Sequence, residues 1–164
     1  MPSQPVNDCS KMISERGLTI AFAESATAGR LAAEFSLTPD SGQILKGGLV
    51  CYDASVKENI LGIPMEFIEE FTPESPEVTK AMAEKLKNLI DSDIQVSVTG
   101  LTTPGGSETE QKPVGTIFIH ILINDSSIAV HDVFDGSAEE IVLKAVDLAA
   151  VTIFNEINTI MATD

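Results

Sequence analysis

The stretch "TIAFAESATAGRLAAEF" (19–35) constrains the fold more than any other part of the chain, because it begins as a strand and ends as a helix. "LTIAFAE" (18–24) is a short β-rich apolar run. "TAGRLAAEFSL" (27–37) then returns apolar side chains at Leu31, Ala32 and Phe35, which is helical spacing. "GQILKGGLVCYD" (42–53) reads as a second strand, kinked or bulged at Gly47 and Gly48. "IQVSVTG" (94–100) alternates as a third. "VGTIFIHILI" and "SSIAVHDVF", separated by "NDS", form a hairpin. Helices are expected over 7–17 and 54–63, stopped by Gly17 and Gly62. A third spans 75–91, where Ser75 caps, Pro76 suits the first turn, and Val78, Met82, Leu86 and Leu89 share a face. The closing helix, 137–161, opens on a capping box of Ser137 and Glu140. Crossovers combined with a hairpin predict an α/β fold whose mixed sheet carries helices on both faces.

At 164 residues the chain is most economically read as one domain with a full hydrophobic core. Aromatic residues are only 5% of it and Trp is absent, so that core must be largely aliphatic. Ten basic residues against 25 acidic ones give a formal charge of −15. Such a surface repels phosphate backbones and anionic lipid, which argues against nucleic acid and membrane partners. No segment approaches the ~20 apolar residues of a membrane helix. The start, "MPSQPVNDCS", lacks the basic and apolar regions of a signal peptide, and the chain reads as cytoplasmic. Cys9 and Cys51 match no metal-ligand spacing and no disulfide framework, and Cys51 reads as a buried small hydrophobe.

The strand-to-helix junction holds Glu24, Ser25 and Thr27. Ser25 there has two readings. It can cap the helix, or it can attack a carbonyl while neighbouring N–H groups stabilise the oxyanion. A nucleophilic serine needs a base. His120 and His131 both lie inside strand patterns and carry no weight for that role. Lys57, a few residues beyond the second strand, is the alternative if desolvation keeps its amine neutral; otherwise it is a solvated helix lysine. Tyr52, the only tyrosine, ends that strand. "TGLTTPGGSETEQKPVG" (99–115) is either a ligand loop or an ordinary surface turn, and has neither Walker nor dinucleotide spacing.

Taken in order, "AESATAG" (23–29), "GGLVCYDASVKENILGI" (47–63), "GLTTPGG" (100–106) and "KPVGTIFI" (112–119) resemble the motifs of the CinA C-terminal domain family. Its members include nicotinamide-nucleotide amidases, or NMN deamidases. The resemblance implies a three-layer α/β/α fold and self-association into a homo-oligomer. It implies Ser25 as nucleophile, Lys57 as its base and Tyr52 beside them. A pyridine nucleotide would lie against Glu24, Thr27, Gly29, Gly48, Gly100, Thr103, Gly105 and Gly106. The implied reaction converts nicotinamide mononucleotide (NMN) to nicotinic acid mononucleotide and ammonia, with no metal and no cofactor. The chain departs from the motifs at Ala28 and Thr103, where the family has glycines, and at Ala138 and Val142, where it often has arginines. Lys144 or a neighbouring subunit's lysine could replace that charge. These departures motivate two other readings: a member that binds a nucleotide-like ligand or a protein without turnover, and an amidase for an uncharged amide.

Overall fold

The computed structural model describes residues 1–162. Five strands form one sheet in the order β2-β1-β3-β4-β5. They are β1 (Ile20–Glu24), β2 (Leu45–Val50), β3 (Ile94–Gly100), β4 (Thr116–Ile123) and β5 (Ser126–Val133). β1 pairs in parallel with β2 and β3, whereas β4 is antiparallel to both β3 and β5. The sheet is therefore mixed, as the order of crossovers and hairpin requires.

Alternation along the strands sends side chains to two cores. Phe22, Val96, Val98, Ile119 and Ile121 face one layer, built from α1 (Gln4–Glu15), α2 (Arg30–Ser36) and α7 (Ala138–Ala162). Phe22 meets Phe35 of α2 with ring centroids 5.1 Å apart. Ala21 and Ala23 face the other layer, where Ile68, Met82 and Leu86 come from α5 (Met65–Phe71) and α6 (Pro76–Leu89). The result is three layers.

The local signals that specify this layout are mostly visible. Ser75 Oγ accepts from the Val78 N–H, capping α6. Ser137 and Glu140 exchange backbone-to-side-chain bonds at the start of α7. Gly17 and Gly62 adopt φ of 66° and 73° after α1 and α4 (Ala54–Asn59). β1 pairs Ile20 with Leu45 but Ala21 with Gly47, so β2 carries an extra residue at the expected bulge.

Four expectations need correction. The segment 42–53 is not all strand: a one-turn helix, α3 (Ser41–Ile44), precedes β2 and drives Ile44 into the core, and the strand ends at Val50. α5 lies in a connection where no helix is expected, because seven residues are too few to show a period. Leu89 does not complete the buried face of α6 and is half exposed. Finally, α2 begins at Arg30 rather than at residue 27.

That last shift matters for the site. Ser25 to Gly29 form a tight turn in which Ala28 and Gly29 both take positive φ, 47° and 96°. An alanine in the left-handed region clashes with its own carbonyl, whereas glycine does not. Ala28→Gly should therefore stabilise the protein by roughly 0.5–1 kcal/mol, after the greater unfolded-state freedom of glycine is subtracted. A rise in the urea midpoint at unchanged slope is the expected reading. A fall would show that the turn does not strain this residue.

Candidate active site

Because α2 starts late, Ser25 does not cap it. The N-cap position is Gly29, and the first N–H groups of α2 are satisfied from further back by Glu24: Oε1 accepts from Thr27 Oγ1 at 2.6 Å and the Leu31 N–H at 2.7 Å, and Oε2 accepts from the Ala32 N–H at 3.1 Å. Glu24 is 1% exposed. It was expected against a ligand; with both oxygens committed to the turn and α2, it instead holds the turn in place.

The Ser25 main chain continues the β1 pairing, its N–H donating to the Val98 carbonyl at 2.9 Å. Its side chain is left free to meet Lys57, and Lys57 Nζ lies 3.1 Å from Ser25 Oγ. α4 delivers that lysine inward. Asp53 caps α4 by accepting from the Ser55 N–H at 2.8 Å, and Lys57 sits on the turn that faces the sheet edge, 1% exposed. Nζ also donates to the carbonyls of Cys51 at 2.8 Å and Tyr52 at 3.3 Å. Among the described residues no carboxylate lies within salt-bridge distance of it. Desolvation by burial consequently lowers the Lys57 pKa, against partial opposition from Cys51, Glu74 and Asp53. Burial acts in the other direction on the adjacent Cys51 thiol, pushing it up to about 11, so it stays protonated and is no rival nucleophile.

Ser25 opens onto a cleft of about 230 Å³. One wall is the loop after β3, including Gly100, Thr103, Gly105 and Gly106; Ala26, Tyr52 and Glu74 line the cleft opposite and beside it. Glu108 tightens the Pro104–Gly105–Gly106 turn, its Oε1 accepting from the Gly105 N–H at 2.7 Å. Tyr52 is 63% exposed at the rim. A Cβ on Gly100 would come within 2.5 Å of Ile117 Cδ1 and 2.6 Å of the Thr116 carbonyl, so the wall can stand here only with glycine. The N–H groups of Ala26 and Thr27, in the turn beside Ser25, bond to no described residue.

Not every expected site residue reaches this cleft. Thr27 is spent on Glu24. Gly48 lies under α2, where an added Cβ would stand 3.2 Å from Ala32 Cβ, and its role is close packing. Gly29, with Thr27 and Ala28, lines a second groove on the far side of the turn. Ala138 and Val142 line the same groove. Its arginine, Arg30, is countered by Glu34 at 2.7 Å and Glu139 at 3.8 Å. Lys144 donates to the Asp135 carbonyl at 2.6 Å and is not among the groove's lining. His120 is buried on β4, bonded to Ser127. Glu74 is the lining residue that sequence reasoning missed, since it sits between α5 and α6 outside every motif. Among the described residues no group of His, Cys, Asp and Glu is placed to hold a metal ion, and no helix is long and apolar enough to cross a membrane.

Similarity to known proteins converges on one family. The CinA C-terminal domain model matches residues 3–157. A CinA-like protein of Petrotoga mobilis is 43% identical over 124 residues, covering 75% of this chain and 30% of that protein. A putative competence-damage inducible protein of Listeria welshimeri is 44% identical over 112 residues, 68% of this chain and 26% of that one. This chain thus spans less than a third of those relatives' length. A CinA superfamily protein from Klebsiella pneumoniae has the same fold, with a TM-score of 0.89 at 23% identity over 95% of this chain and 97% of that one. Another from Enterobacter cloacae gives 0.85 at 25% identity, covering 93% and 92%. Matched along nearly its whole length, this chain belongs to the CinA C-terminal domain family.

Proposed function

We propose that the protein is a Ser-Lys amidohydrolase that deamidates a pyridine carboxamide of the NMN type. The observation that carries this reading is the 3.1 Å approach of Lys57 Nζ to Ser25 Oγ in a buried setting where, among the described residues, the amine has no carboxylate partner.

A neutral amine has two N–H donors and one lone pair. The Cys51 and Tyr52 carbonyls accept the two donors, which leaves the lone pair for the Ser25 hydroxyl. Lys57 takes the hydroxyl proton as Ser25 Oγ bonds to the amide carbon. The N–H groups of Ala26 and Thr27 are free to stabilise the oxyanion that forms. The carbon–nitrogen bond then breaks, and the ammonium of Lys57 returns its proton to the leaving nitrogen, releasing ammonia. Water enters, gives a proton to Lys57 and adds to the acyl carbon. Collapse of this second adduct returns the proton to Ser25 Oγ and frees the acid.

The test is ammonia release from NMN by wild type beside Ser25→Ala. Loss of the nucleophile should cut turnover by roughly 10³-fold or more. Equal ammonia release by both proteins would remove Ser25 from the chemistry.

A further inference from the structure

The cleft that holds Ser25 has an acidic wall and no basic one. None of its lining residues is Lys, Arg or His, and the one charged side chain among them is Glu74. Ser107 Oγ donates to Glu74 Oε2 at 2.5 Å, which pins the carboxylate. Oε1 accepts no hydrogen bond among the described residues. Glu74 is close enough to Lys57 for its charge to act on the amine. The Glu108 carboxylate holds the Gly105 side of the same wall and adds a second negative charge.

Nearby basic side chains are already engaged. Lys57 donates to two main-chain carbonyls. Lys112 Nζ donates to Thr72 Oγ1 and to the Glu74 carbonyl, both at 2.8 Å, and does not line the cleft. Arg30, in the groove across the turn, is ion-paired with Glu34 and Glu139. With a net charge of −15 the long-range field is also negative. A phosphate dianion entering here would meet no free fork of donors and would be repelled by Glu74.

We propose that Glu74 is the charge-selecting residue of this cleft, and that the amide it admits rides on a cationic carrier without phosphate, such as an N-ribosyl pyridinium carboxamide. The inference rests on the amidase reading only for the position of the amide. The cationic ring lies beside Glu74 Oε1, whose unused lone pairs face the positive charge, while the carboxamide reaches Ser25. The ordinary alternative role for Glu74 is structural, holding Ser107 and the loop.

The experiment is calorimetric titration of Ser25→Ala protein, which does not consume ligand, with nicotinamide riboside and with NMN at low salt. The two differ by one phosphate. The riboside should bind about tenfold more tightly, and added salt should narrow the gap. Glu74→Gln, which keeps the acceptor for Ser107, should weaken riboside binding about fivefold and collapse the preference. Glu74→Asp should retain it, a rescue that a structural role alone does not predict. NMN binding as well as the riboside, a preference indifferent to Glu74→Gln, or binding of neither ligand would overturn the proposal. Riboside binding through Glu74 with no ammonia from any amide would leave this inference standing and defeat the amidase reading instead.

Discussion

Lys57→Met is expected to lower amide hydrolysis by roughly 10²- to 10⁴-fold, the usual contribution of a positioned general base. Methionine fills a similar volume in the buried site, so the loss should fall on turnover rather than on folding. The pH profile carries the sharper signature. A base must be neutral to act, so wild-type kcat/KM should rise with pH through the folded-state pKa of Lys57 and then level off. Desolvation places that rise below the ordinary lysine range. In the variant the rising limb should vanish. Stability obeys the same linkage: the folded state releases the proton before the unfolded state does, so stability is fully present above the unfolded value of 10.5 and is lost as pH falls through the folded one. Lys57→Met should flatten that dependence in urea melts at several pH values. A wild-type limb centred in the ordinary lysine range would contradict the desolvation account.

Glu24→Ala should destabilise the protein by about 3 kcal/mol, the combined loss of the acceptor for the first N–H groups of a helix and of a buried hydrogen bond. Truncation strands the buried Thr27 Oγ1 and Leu31 N–H, and the part-buried Ala32 N–H, without their partner. In a chain of this size that corresponds to a fall in Tm of about 10 °C. Glu24→Gln retains an acceptor and should cost about 1 kcal/mol. Thermal melts of the two variants distinguish this from a ligand role, for which the melting point would scarcely move. Because Glu24 also anchors the turn that presents Ser25, activity should drop in both variants even below their melting temperatures.

How legible all this was in the sequence depends on the range of the interaction. Ser75 with Val78 and Ser137 with Glu140 are three residues apart, and such caps can be read directly. β1 shows as a β-rich apolar run and β3 through its alternation, and the hairpin through a turn that the structure narrows to Asn124–Asp125. α3 and α5, of four and seven residues, are shorter than the period that would reveal them. The Ser25–Lys57 contact joins residues 32 apart and depends on α4 turning one face to the sheet edge, which chemistry plus family resemblance could suggest but local pattern could not. Glu24 misled because an acid at a strand end suits a ligand equally well; Thr27, three residues on and able to donate to it, was the available clue. Glu74 had no clue at all, since its place in the cleft comes from how α5 and α6 pack.

Catalysis by Ser25 requires that one amine be uncharged. Following the Lys57 side chain by NMR, through its Cε and Nζ resonances as pH is raised, measures that charge without reliance on any substrate. Titration below the ordinary lysine range is the outcome expected of a base desolvated beside Ser25. An ammonium that persists to the pH of a solvent-exposed lysine would contradict it.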